Sequence, residues 1–269
     1  MLGALIGDIV GSRFEWHNHR NKDFKLFTEY NKFTDDTVMT LAIGKAILEC
    51  QGNYSDLGKK TINAMLSLGR KYPDRGYGGK FRRWLTSDNP QPYNSLGNGA
   101  GMRVSPCAWA AQSEAEAKEL SKKVTEVTHN HPEGIKGAEA ITMAIYFALH
   151  GKDKDFIANY TREHYYPDLN FTIAEIRSTY NFDATCPGSV PQAIEAFLEG
   201  LDFEDTIRLA ISLGGDSDTI AAMAGAIAQP YFGIPKDIEE KALTYLEEDL
   251  RRIVSDWLAK YPVLTFPKK

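Results

Sequence analysis

Apolar residues recur along this chain at helical spacing. Val190, Ala193, Ile194, Phe197 and Leu198 fill the i, i+3, i+4, i+7, i+8 template, and so do Ile220, Met223, Ala224, Ile227 and Ala228. Ile141, Met143, Ala144, Ile145, Ala148 and Leu149 keep a similar stripe. Further helical segments are predicted near 35–50, 56–71, 114–127, 203–213 and 236–259. Strict apolar/polar alternation over strand length is almost absent, so the pattern predicts an all-α fold. Turn signals fall between these stretches: "YPDRGYGG", "SDNPQPYNSLGNGAG", "HNHPEG", "CPGSVP" and "GGDSD". No Ser/Gly-rich linker and no regular repeat divides the chain, which is read as a single domain over 1–269.

Composition narrows the class. With 269 residues, 43% of them hydrophobic and 25% charged, the chain is long enough for a large core. No apolar run reaches the ~18 residues of a membrane span. The N-terminal "MLGALIGDIVG" is apolar but short. It lacks a leading Lys or Arg, and Asp8 interrupts it, so it reads as a first core element rather than a secretory signal. Three scattered cysteines, Cys50, Cys107 and Cys186, suit neither a disulfide framework nor a zinc cluster and point to a reducing cytoplasm. The formal net charge of −5, without a long basic run, disfavours broad nucleic-acid binding. A small anionic ligand remains compatible, held by metal ions or backbone N–H groups.

Two acidic motifs carry the candidate chemistry. "FTDDTVMTLAIG" (33–44) and "GGDSDTIAAMAGAIA" (214–228) each set two acids and a threonine where a helical pattern begins. On one motif alone the plainer reading is a helix cap: Thr34 before Asp35 and Asp36, and Asp216 or Ser217 before the second helix. Taken together, the two turns offer more oxygens than caps need. Carboxylates gathered from both would repel one another unless cations lay between them. An oxygen-only donor set suits hard ions such as Mg²⁺, Mn²⁺ or Ca²⁺. Since the motifs lie near opposite ends, such a site requires one compact domain.

Other segments add candidates. Glu15 follows a Gly-containing turn and is either a solvated surface glutamate or a general base beside the metals. "GNGAG" (97–101) permits close backbone approach to a ligand, and Asn98 adds an amide. In "THNHP" (128–132) the i, i+2 spacing keeps the two histidines off one helix face; Pro132 suggests a loop, from which His129 or His131 could reach a ligand. No GxSxG elbow, Walker A loop or dinucleotide fingerprint occurs.

The segments "GALIGDIVGSRFE", "FTDDTVMTLAI", "GYGGKFRRW", "GNGAGMRVSP", "THNHPEGIKGAEAI", "SVPQAIEAFLEG" and "SLGGDSDTIAAMAGAIA" lie in order across almost the whole chain. Together they resemble the ADP-ribosylglycohydrolase family, which includes the dinitrogenase reductase-activating glycohydrolase and the eukaryotic ADP-ribosylhydrolases. The resemblance implies a compact orthogonal multi-helix bundle with a centre of two Mg²⁺ or Mn²⁺ ions. It implies metal ligation by Thr34, Asp35, Asp36, Asp216, Asp218 and Thr219, with Glu15 as catalytic glutamate. Asn94, Ser95, Leu96, Asn98 and Gly99 match a loop that binds the diphosphate and nearby ribose; Leu96 stands where some relatives carry an aromatic residue. His129 matches a histidine near the diphosphate, Tyr77 and Gly78 border the ribose, and "CPGSVP" is placed on the adenine side. The implied reaction is hydrolysis at C1″ of an ADP-ribose conjugate, small or on a protein, by an enzyme taken as a monomer. The rival readings are a dinuclear-metal nucleotide phosphodiesterase or pyrophosphatase, and a non-catalytic ADP-ribose-binding or structural relative.

Overall fold

Residues 1–262 are described by the structure, a computed structural model. Among them the chain forms fourteen α-helices and no β-strand. In chain order these are α1 (Leu2–Gly11), α2 (Asp35–Cys50), α3 (Leu57–Lys71), α4 (Gly79–Thr86), α5 (Ser105–Ala110), α6 (Glu114–Thr125) and α7 (Pro132–Leu149). Then follow α8 (Lys154–His164), α9 (Ile173–Ile176), α10 (Cys186–Glu199), α11 (Phe203–Ser212), α12 (Ser217–Phe232), α13 (Lys236–Leu243) and α14 (Glu248–Lys260). The all-α expectation therefore holds, and no helix among these is long and apolar enough to cross a membrane.

The central pair is α1 and α12. Every residue of α1 is buried, and so is α12 from Ser217 to Pro230. The sequence "SDTIAAMAGAIAQP" shows why: it carries small or apolar residues on all sides, so no face requires water. The apolar stripe at 220–228 is thus one side of a helix surrounded by α1, α7, α10 and α11. Gly3, Gly7 and Gly11 share one face of α1, and a Cβ on Gly7 would overlap the Ala221 carbonyl. A Cβ on Gly11 would lie 2.5 Å from Asp218 Cα. These glycines let two backbones touch, and the contact reaches the segment that carries the second acidic motif. On the other flank α2 packs against α1, α3, α5 and α14.

Three turn or helix boundaries differ from the sequence reading. The segment 236–259 is two helices rather than one, because the chain turns at Thr244–Glu247. The turn buries Leu246 and lets Tyr245 donate to the Thr28 carbonyl at 2.8 Å while stacking on Phe27. "CPGSVP" is not a loop but the first half of α10. Thr185 caps it by accepting from Gly188 N–H, and Pro187 falls in the first turn, where no N–H is needed. Likewise Pro132 opens α7 behind a His131 cap, inside the predicted "HNHPEG" turn. Pro132 and Pro187, which read as breakers, are helix starters, whereas Pro191 lies within α10.

Candidate active site

The two acidic motifs meet at the N-terminal ends of α2 and α12. Thr34 and Asp216 stand at the N-cap positions, yet neither side chain makes a capping hydrogen bond. The cap of α2 is supplied by another helix. Asp8, buried on α1, accepts from Thr34 N–H at 2.9 Å and Thr37 N–H at 3.1 Å through Oδ2. Its Oδ1 accepts from the Thr34 hydroxyl at 2.6 Å. Sequence reasoning did not select Asp8. Its signal was a lone carboxylate inside an otherwise apolar helix, which burial forbids unless it has partners.

Asp36 and Asp218 lie across from each other. Thr219 Oγ1 donates to Asp36 Oδ2 at 3.2 Å, linking residues 183 positions apart. The other Asp36 oxygen, Oδ1, is buried with no hydrogen-bond partner among the described residues. Carboxylate oxygens of Asp8, Asp36 and Asp218 lie within 4.8 Å of one another. A second trio, Glu15, Asp216 and Asp218, meets the same limit, so Asp218 belongs to both. Asp216 is reached through the turn at Gly214 and Gly215, whose φ values of 75° and 70° are left-handed and suit glycine. Asn98 Nδ2 donates to Asp216 Oδ2 at 2.6 Å and orients it.

No lysine or arginine of the described residues pairs with these aspartates. Burial, followed by the neighbouring carboxylates, pushes Asp36 and Asp218 well above the usual carboxylate range. Burial also raises Asp8 and Asp216, against the hydrogen bonds they accept. Half-buried Glu15 is pushed up to about 7 by burial and then by Asp216. An oxygen-only pocket, an unpartnered buried carboxylate oxygen and mutually repelling acids fit hard divalent cations.

Above this floor opens a cleft of about 530 Å³. Glu15, Asp35, Asp36, Asp216, Asp218 and Thr219 line it, as do Tyr77, Gly78, Ser95, Asn98, Gly99 and His129. Asp35 stands apart from both trios, with Oδ1 packed beside Gly76. Thr34 lies beneath the lining, bonded to Asp8. Asn94 and Leu96 do not line the cleft. Asn94 is exposed at φ 52° with its N–H held by Asn130, and the Leu96 carbonyl accepts from Cys186 N–H at the start of α10. From "CPGSVP" no side chain lines it either, although Ala184 just before it does.

The cleft also contains residues that the sequence reading passed over. Trp16, 73% exposed, stacks on Phe182 at 5.1 Å beside Glu15. Tyr93, Met39, Met102 and the buried Arg103 complete the wall. None shows a spacing signal, because apart from the adjacent Met102 and Arg103 each comes from a different loop or helix.

Comparison with known proteins bears on the family and the fold. Residues 1–265 match the sequence profile of the ADP-ribosylglycohydrolases. The ADP-ribosylhydrolase ARH3 of Xenopus tropicalis is 28% identical, over 87% of this chain and 86% of the relative. The ADP-ribosyl-[dinitrogen reductase] glycohydrolase of Rhodospirillum rubrum is 25% identical, over 96% and 94%. A solved structure, "ADP-ribosylglycohydrolase-related protein complex", superimposes with a TM-score of 0.72 at 24% identity, covering 97% of this chain and 96% of that one, and shares the fold.

Proposed function

This chain belongs to the ADP-ribosylglycohydrolase family, and from that premise we propose that it hydrolyses the glycosidic bond at C1″ of an ADP-ribose conjugate with two Mg²⁺ or Mn²⁺ ions as cofactors. The observation that carries the reading is the pair of carboxylate trios sharing Asp218 at the cleft floor. Asp8, Asp36 and Asp218 would hold one ion. Asp216 and Asp218 would hold the other, with Glu15 at its edge. Thr219 braces Asp36, Thr34 braces Asp8, and Asp35 faces the cleft beside the Gly76 turn. Bound there, the ions would supply fixed positive charge for the ribose 2′ and 3′ hydroxyls and for the charge rearranged at C1″.

The remaining chemistry belongs to the chain. Ser95, Asn98, Gly99 and His129, which line the cleft, would meet the substrate's diphosphate and ribose, and Tyr77 and Gly78 of the same lining would border the ribose. Glu15 accepts a proton from the water that attacks C1″. As the new C–O bond forms, the bond to the acceptor breaks; the acceptor leaves with the electron pair and takes up the proton that Glu15 received from the water. The products are ADP-ribose and the free acceptor. The substrate class includes ADP-ribosylated protein, which the name of the Rhodospirillum relative carries. Three free, buried cysteines suit work in the cytoplasm.

The test is a panel of defined ADP-ribose conjugates incubated with Mg²⁺, Mn²⁺ or chelator. Free ADP-ribose, formed only with a divalent ion, is the expected product. AMP plus ribose phosphate would move the protein to the phosphodiesterases, and tight ADP-ribose binding without turnover of any conjugate would make it a binding protein.

A further inference from the structure

Arg103 follows the Gly-rich turn, and its side chain is 1% exposed. No carboxylate of the described residues pairs with it, and its Nε has no partner. A buried guanidinium without a counter-charge is costly, so its retention at the wall of a cleft asks for a reason.

The hydrogen bonds supply one. Arg103 Nη2 donates to Thr128 Oγ1 at 2.6 Å, and at 3.5 Å to the Val124 carbonyl. A guanidinium has only donors, so Thr128 Oγ1 must be the acceptor, and its own single proton points elsewhere. Two acceptors are within reach: His129 Nδ1 at 2.7 Å and the Thr125 carbonyl at 3.5 Å. The short bond takes the proton. Nδ1 is then an acceptor, and the neutral imidazole carries its hydrogen on Nε2. That nitrogen faces the Gly-rich turn: a Cβ on Gly99 would stand 3.3 Å from it, and one on Gly97 3.5 Å. Burial and the nearby Arg103 also hold His129 well below the usual histidine range, so the ring stays neutral.

We propose that Arg103 is a positioning residue which, through the Thr128 hydroxyl, fixes His129 as an Nε2–H donor aimed at an anionic oxygen of the bound substrate. Only the identity of that anion, the diphosphate of ADP-ribose, rests on the proposed function. Arg103 adds a second effect: its unneutralised charge makes this end of the cleft favourable to anions.

The decisive measurement is the ¹⁵N NMR spectrum of histidine-labelled protein without ligand. Wild-type His129 should show a protonated Nε2 and an unprotonated Nδ1 at neutral pH. Thr128→Val, which keeps the shape and removes the hydroxyl, should give mixed tautomers. It should also weaken ADP-ribose binding by calorimetry roughly tenfold, the loss of about one charge-assisted hydrogen bond. Thr128→Ser should restore both. Wild-type His129 protonated on Nδ1, or a Thr128→Val protein with unchanged tautomer and affinity, would overturn the relay. If the wild type binds no ADP-ribose at all, the proposed function is struck instead, and the tautomer alone decides the relay.

Discussion

The two ends of the cleft are opposites built on one plan. At one end Asp8, Asp36, Asp216 and Asp218 are buried together, with no cationic side chain of the described residues paired to them. At the other Arg103 is buried with no carboxylate of the described residues paired to it, behind Thr128 and His129. The charges are not allowed to cancel each other across the protein. Each end is left unneutralised, and each is held by hydrogen bonds that fix its geometry instead. Such an arrangement lowers stability in the empty protein and is recovered on binding: cations complete one end and an anionic ligand the other. The difference lies in the scaffold. The acidic end stands on α1, α2 and α12, the first and last in backbone contact, whereas the cationic end relies on the loops around 93–104 and 126–131.

The largest effect expected from this contrast is at the residue shared by both trios. Asp218→Ala should lower turnover of a cleavable conjugate by about 10³-fold or more, since several kcal/mol of metal-borne charge stabilisation go with it. Its metal-free thermal midpoint should equal or exceed that of the wild type, because a repelling charge has gone. A midpoint that falls sharply would mean that the acidic end is structural. Next, Glu15→Gln should keep its fold and bind ADP-ribose normally while losing roughly 10²–10⁴ in kcat. Near-wild-type rates in that variant would remove Glu15 from the chemistry.

The empty acidic end also makes a pH prediction. Carboxylates whose folded pKa is raised contribute stability fully present below their unfolded pKa and lost as pH rises through the folded value. For Glu15 that loss runs from its ordinary value of 4.5 up to about 7. The metal-free protein should therefore become less stable from pH 5 to pH 8. Mn²⁺ at about 100 times its Kd should restore about 2.7 kcal/mol. In differential scanning calorimetry the metal-induced rise in Tm should be several degrees and larger at pH 8 than at pH 5; an equal rise at both would contradict the coupling. The smallest effect belongs to the other end: His129→Ala should weaken ADP-ribose about tenfold and leave Mn²⁺ affinity unchanged. Loss of metal binding in that variant would show that the two ends are not separable.

Much of this was legible in one dimension. The stripes at 190–198 and 220–228 lie inside α10 and α12, and the motif at 33–44 opens α2 as its pattern requires. Helix boundaries at Cys186 and Pro132 were missed because a proline signals both a break and a first turn, and only the neighbouring cap tells them apart. Asp36, Asp216 and Asp218 could be picked out from local chemistry, while Glu15 and His129, left open by it, were selected by the family resemblance; all five face the cleft. Asp8 could not, for a carboxylate in an apolar helix gains its meaning from Thr34 and Thr37, some thirty residues away. Arg103 and the Trp16–Phe182 stack were hidden for the same reason.

What the sequence determined by itself was periodic or local: the all-α class, the places where most helices run, and the oxygen-rich turns suited to hard cations. What only the tertiary structure decided was which of those groups meet. Asp218 joins two trios because Gly3, Gly7 and Gly11 let α1 lie against α12. The orientation assigned to His129 follows from a guanidinium twenty-six residues earlier. Helix period and turn chemistry act over a few residues and can be read along the chain. Charge repulsion, desolvation and close packing act through space, so they exist only once distant segments have been brought together.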